Sequence, residues 1–327
     1  MSKNPFAPST SSPGVGTIHI SGLPAVLRTL SYQYPLKLIA PASLPSPASS
    51  TPIHTVFLLT YGGGLVAGDT IDLTITLEPS TRLVVLTQGS TKIFKTPSRD
   101  VVSGQATTVR LQPGSALCYL PDPVQPFDES AFEQRQVYEL MSSKKGEEAS
   151  LCVCDWVSEG RTARGEKWGF HKYGSKNEVY AVNGEKKRLL LRDNMILDAS
   201  SKFGGANGLS GRMDHLGVFG TLILRGPVFQ ALGDFFMDEF GKLPRIGNRQ
   251  WDKAEEVVED IEKRRKERQK METRDGLLWT AANVRGSVMV KFGAREVEGA
   301  RNWLRWMLKE EGSVEREFGE RALLCLK

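Results

Sequence analysis

Cysteine is scarce. Four cysteines in 327 residues cannot build the disulfide framework of a small secreted domain, so a disulfide-stapled fold is excluded. Histidine is equally rare. His19, His54, His171 and His215 form neither a His-Glu-x-x-His motif nor a paired-His spacing, so each reads as structural. The absence of a Gly-x-Ser-x-Gly elbow argues against a serine hydrolase. No apolar run approaches the roughly 18 residues needed to span a bilayer. The N-terminal stretch MSKNPFAPSTSSPGVG lacks both the apolar segment of a secretory signal and the arginines of a transit peptide. The expectation is a cytoplasmic protein without membrane partners. Charge of one sign is missing too: 43 Lys and Arg against 38 Asp and Glu leave +5, spread along the chain. That balance argues against nucleic acid as a partner.

Glycine, by contrast, is concentrated. Tyr61 to Asp69 reads YGGGLVAGD. A phosphate loop needs a strand before the glycines and a helix after them. The strand is there, HTVFLLT from His54. The helix is not: in TIDLTITLEPS, Ile71, Leu73, Ile75 and Leu77 alternate with Thr70, Asp72, Thr74 and Thr76. Period two marks a half-buried strand, and no Gly-Lys-Ser/Thr follows. The glycines therefore join strand to strand, and their predicted roles are positive φ and close backbone approach.

More strands follow in STRLVVLTQGS, TKIFK and GQATTVRLQPGSALCYLPDP. LTITLEPSTRLVVL (Leu73 to Leu86) echoes TTVRLQPGSALCYL (Thr107 to Leu120), which sets Pro79 and Pro113 at equivalent positions. The echo predicts a stacked, repetitive sheet of similar hairpins. ASLCVCDWV, VFGTLILRG and SVMVKFG are further strands, and EVYAVNGEKKRLLLRD is a hairpin about Asn183-Gly184. Helices are few and late. Pro227 to Phe240 begins with Pro at a helix-compatible position, and Ala294 to Glu311 sets Val297, Ala300, Leu304 and Met307 on one stripe. The expected fold is mainly β: a stacked antiparallel or helical, solenoid-like platform with a few packing helices in the C-terminal part. Residues 1–16 read as a disordered tail and 17–327 as one domain. Within it a charged insertion at about 248–275, centred on Trp251 to Asp275, is expected to be a solvated helix or disordered.

Two stretches could carry chemistry. In CVCD, Cys152 and Cys154 share a strand face and Asp155 takes the other. No second cysteine pair completes a zinc site, so core packing is the expected role of the thiols. DWVSEGRTARGEKWGF concentrates Asp155, Glu159, Arg161, Arg164, Glu166 and Lys167 between Trp156 and Trp168. It reads equally as a solvated loop with surface ion pairs or as a segment fixed by its aromatics, facing an interior groove or a partner.

YGGGLVAGD, then TQGSTKIFKT (Thr87 to Thr96), then DWVSEGRTARGEKW together resemble the UreD (UreH) family of urease accessory proteins. PDPVQPFDESAFEQR, between the second and third motifs, resembles its proline-rich connection, and LLLRDNMIL, after the third, resembles its next strand. The charged insertion and the Ser- and Pro-rich pieces suggest a eukaryotic, fungal-like member. The resemblance implies a non-enzymatic scaffold, a stacked β structure with helices at its side. Implied partners are UreF-like and UreG-like (GTPase) accessory proteins and apo-urease. Ni²⁺ would be handled transiently, with no tightly bound cofactor and no stable metal site. Matched residue by residue, Gly62, Gly63, Gly64 and Gly68 form a structural corner. Asp69, Thr91, Lys92, Asp155 and Glu166 become candidates for a nickel conduit or polar interior. Arg161 and Arg164 become candidate partner or ion-pair contacts. From the residues alone, a β-rich carbohydrate-active enzyme using paired acids and a generic β-solenoid binding module stay open.

Overall fold

The computed structural model describes residues 12–49, 51–142, 147–200, 208–243 and 260–327. It opens with the antiparallel strands β1 (Val15–Gly22) and β2 (Ala25–Tyr32), then the short β3 (Leu36–Ile39) and β4 (Leu44–Pro45). The chain next winds through three coils, each giving one strand to each of three sheets. They are β5 (Pro52–Thr60), β6 (Gly64–Leu65) and β7 (Thr70–Leu77); β8 (Arg82–Leu86), β9 (Lys92–Ile93) and β10 (Ser103–Leu111); and β11 (Ala116–Tyr119), β12 (Gln125–Pro126) and β13 (Ala131–Met141). A further turn comprises β14 (Ser150–Ser158) and β15 (Lys172–Asn183), and β16 (Lys186–Asp198) folds back on β15. The remainder is α1 (Gly208–Arg212), β17 (Val218–Arg225), α2 (Gln230–Gly241), α3 (Asp260–Asp275), β18 (Leu278–Val284), β19 (Ser287–Ala294), α4 (Val297–Glu311), α5 (Ser313–Phe318) and a 3₁₀ segment, Glu320–Leu326.

The 34-residue echo is one coil. Leu77 pairs with Leu111 and Val85 with Tyr119, in register and parallel. The Pro79-Ser80 and Pro113-Gly114 turns are therefore not hairpins. Each is a corner that carries the chain from a seven-stranded sheet into a nine-stranded one, and the two corners stack, with Ser80 N donating to Pro113 O at 3.2 Å. The central strands take the helical, solenoid-like alternative of the expected fold and not the antiparallel one. Antiparallel pairing holds at the ends, in β1–β2, β15–β16 and the β14–β17–β19–β18 run. Period two buries one face whichever way a strand's neighbour runs, so alternation carries no direction.

Three layers result. Between the two large sheets, Leu73, Leu77, Val85, Val109, Leu111 and Val153 are fully buried, each contributing about 1.5–3 kcal/mol. The other face of the nine-stranded sheet presents Cys118, Cys152, Cys154 and Trp156 to a helical layer that includes Phe236, Trp303, Leu304 and Met307. Ala300, Leu304 and Met307 of the predicted stripe are buried; Val297 is partly so.

Two boundaries change. Residues 1–11 of the predicted tail lie outside the described residues, but Val15 and Gly16 already belong to β1, where Gly16 pairs with Leu73. Residues 251–259 of the charged stretch also lie outside them. The rest is α3, and it is not solvated all round: Arg268 and Glu272 are 2% and 8% exposed. Arg268 Nη1 donates to Glu239 of α2 at 2.7 Å, and Trp279 and Trp303 donate to Glu272. Charge, not an apolar stripe, seats this helix, which is why its composition resembled a solvated one.

Candidate functional site

Strands whose inner faces should be apolar carry polar residues midway. In β13 the inward positions run Phe132, Gln134, Gln136, Tyr138; in β15 they run Tyr173, Ser175, Asn177, Val179. Pairing aligns them into two rows: Gln105–Gln134–Ser175, and Thr107–Gln136–Asn177–Asp193. The opposite sheet answers with Asp155, Thr221 and Lys291, also aligned. A polar band thus crosses the interior between the two large sheets, and all of these residues except Lys291 are buried.

Asp155 is its centre. Its carboxylate accepts Gln134 Nε2 and Asn177 Nδ2, each at 2.6 Å, and the Ser175 hydroxyl. All three donors are neutral. Burial pushes the carboxyl above its usual range, against the pull of Ser175, Asn177 and Gln134. Asp193, the other buried acid of the band, is partnered instead by Lys291 Nζ at 2.6 Å and Thr221 Oγ1 at 2.9 Å. Beside Asp155 lies a cavity of about 20 Å³, bordered by Thr87, Gln105, Tyr119, Asp122 and Gln136. That is room for one water or one small ion. Its polar lining is mainly carboxylate, hydroxyl and amide, with Cys154 and Trp156 also at its border; oxygen and amide groups suit hard and borderline cations. Asn177 Oδ1 is buried nearby without a hydrogen-bond partner.

The glycine corner is built as its sequence requires. Gly62, Gly63 and Gly68 have φ of 73°, 76° and 82°, left-handed values that cost other residues about 1–2 kcal/mol. Gly64 is extended, and a Cβ there would stand 2.3 Å from the Lys92 carbonyl oxygen. Asp69 does not join the polar interior. Its Oδ2 accepts Val66 N–H at 3.1 Å and its own N–H donates to Val66 O at 3.0 Å, so turn geometry directs the carboxylate back over the corner. Lys92 is exposed on β9 and also lies outside; Thr91 borders the small cavity.

The third motif divides. Trp156 and Trp168 are buried and anchored, their indoles donating to Pro121 O and Leu216 O at 2.8 Å each. Asp155 faces the interior. Glu166 is buried but engaged: Arg161 donates through its backbone N at 3.0 Å and through Nε at 2.7 Å. Burial alone would raise the Glu166 carboxyl; the Arg161 contacts hold it below the usual range. Arg161 also stacks over Phe127, 3.9 Å from the ring centroid. It is thus an internal ion-pair residue, whereas Arg164 is exposed in a short helical turn. Among the described residues no group of three or more His, Cys, Asp or Glu is placed to hold a metal ion.

Sequence reasoning missed Gln134, Gln136, Asn177, Asp193 and Asp122. A signal existed: AFEQRQVYEL is polar on both phases of its alternation, and LLLRDNMIL sets Asp193 in the apolar phase.

The family model described as UreD urease accessory protein matches residues 17–322. The chain is 31% identical to "Urease accessory protein 4" of Cryptococcus neoformans, over 95% of this chain and 96% of that protein. It is 29% identical to the "Uncharacterized urease accessory protein ureD-like" of Schizosaccharomyces pombe, over 86% and 88%. It is 31% identical to "Urease accessory protein D" of Oryza sativa subsp. japonica, over 73% and 72%.

Proposed function

Because the chain belongs to the UreD family of urease accessory proteins, an accessory factor in urease maturation and not an enzyme, we propose that it is the scaffold through which nickel reaches apo-urease. UreF-like and UreG-like accessory proteins and apo-urease are its proposed partners, and the cytoplasm the proposed place of assembly. No described helix is long and apolar enough to cross a membrane. Nickel is cargo here, and no tightly bound cofactor is proposed.

The observation that carries this reading is the buried Asp155 carboxylate, held by three neutral donors inside a polar band. A carboxylate with a fixed cationic partner has little to offer a passing ion. One held only by amides and a hydroxyl gains from a cation, because a lone buried charge is costly. The neutral donors keep the carboxylate oriented while the site is empty. They are too weak to trap Ni²⁺, so the ion can move on.

Urease activation by the Asp155→Asn variant, in protein that still co-purifies with the UreF-like partner, tests this. Activation should fall markedly with Asp155→Asn and stay at wild-type level with Asp69→Ala, whose carboxylate serves the surface corner. Full activation by Asp155→Asn would remove Asp155 from the route.

A further inference from the structure

Two cavities meet at one ion pair. The outer one is a surface groove of about 1050 Å³ whose lining includes Gln125, Glu159, His215, Glu298 and Arg301. The inner one is the 20 Å³ space beside Asp155. Asp122 lines the inner cavity and Arg301 the outer, and Arg301 Nη2 lies 3.1 Å from Asp122 Oδ1. Both are largely buried, with side chains 8% and 20% exposed. The pair is also braced. Asp122 Oδ2 accepts Thr87 Oγ1 at 3.0 Å and Gly89 N–H at 2.9 Å. Arg301 Nε donates to Cys325 O at 3.0 Å and Nη1 to Glu298 Oε2 at 3.1 Å.

Arg301 therefore has two carboxylate acceptors, Asp122 on the inner side and Glu298 on the groove side. A guanidinium at this neck opposes any cation moving inward, and at low dielectric that repulsion is large. Swung fully onto Glu298, the same side chain would leave Asp122 free to receive the cation. We infer that Arg301 is the gate between the groove and the interior, shut when it pairs with Asp122 and open when it pairs with Glu298 alone. The inference rests on the conduit reading of Asp155 and adds the residue that controls entry.

Stopped-flow quenching of Trp156 fluorescence by Ni²⁺ and Co²⁺ in the purified full chain tests it. Trp156 borders the inner cavity, and subtraction of a Trp156→Phe control isolates its signal. Arg301→Gln should speed quenching about tenfold, the scale of removing one charge a few ångströms from the path. Arg301→Lys, which keeps the charge, should stay within about twofold of wild type on the same electrostatic ground. Glu298→Gln, which removes the outer acceptor, should slow quenching and serves if Arg301→Gln does not fold. Wild-type rates in both Arg301→Gln and Glu298→Gln overturn the gate. If Asp155→Asn lowers the amplitude while those rates stay unchanged, only the gate falls. If Asp155→Asn leaves the amplitude intact, or no variant is quenched, the conduit reading falls and the gate with it.

Discussion

Replacing Arg268 by Met should detach α3 from the fold. Arg268 is buried between two carboxylates: Nη1 is 2.7 Å from Glu239 Oε2 and Nε 3.0 Å from Glu272 Oε1, with the guanidinium 5.9 Å from the Trp279 ring centroid. Removing one member of a buried ionic cluster costs about 3–5 kcal/mol, because the charges left behind stay desolvated. Here both carboxylates keep donors. Glu239 retains Arg265 at 2.7 and 2.9 Å, and Glu272 retains the Trp303 and Trp279 indoles at 2.9 and 3.1 Å. The loss should therefore sit at the low end, about 3 kcal/mol. It should also depend on pH. Burial already raises the Glu272 carboxyl above 4.5, with Arg268 opposing. Without Arg268 it rises further, so the folded state binds the proton more tightly than the unfolded chain. Stability then falls as pH rises through that window, and the deficit is largest at neutral pH and smallest in acid. Adding Glu272→Gln should recover most of the deficit. Urea unfolding followed by tryptophan fluorescence, with hydrogen exchange across 260–275, measures both effects. A loss under about 1 kcal/mol, typical of an exposed pair, or a deficit independent of pH, would refute ionic docking of α3.

Glu178 should govern part of the acid limb. Burial would raise its carboxyl, but Arg135, Arg192 and Tyr180 hold it at about 2. Its stabilisation is present above 4.5 and lost as pH falls towards about 2, so Glu178→Gln should flatten a stability profile in that interval. At the corner, Gly64→Ala forces a methyl against the Lys92 carbonyl oxygen at 2.3 Å and should cost about 3 kcal/mol, the upper end for overpacking. Gly62→Ala meets no atom within 4 Å and should cost only about 1–2 kcal/mol for its left-handed backbone; equal unfolding midpoints for the two would contradict the stacked rung. Leu77→Ala, between the sheets, should lose about 2–5 kcal/mol in the same unfolding experiment.

Much of the β framework was legible in local pattern. Period two placed β7 and its buried Ile71, Leu73, Ile75 and Leu77, and the repeat between Pro79 and Pro113 measured the coil. The site was legible only in part. Asp155 was singled out by the family motif, while strand phase set it opposite Cys152 and Cys154, and it lies on that other face. Asp69 and Lys92, drawn in by the same motifs, stand outside the interior because corner geometry, not strand phase, orients them.

Alternation, turn residues and the spacing of equivalent segments are properties of consecutive residues, so the chain by itself determined where regularly alternating strands such as β7 and β10 run and which of their faces is buried. Whether a strand pairs with its sequential neighbour or with its equivalent one coil away is a long-range choice, settled by stacking. The partners of Asp155 come from β13 and β15 and that of Glu239 from α3, brought within bonding distance only once the sheets and helices had packed. A buried charge takes its meaning from what surrounds it, and that environment exists only in the folded chain.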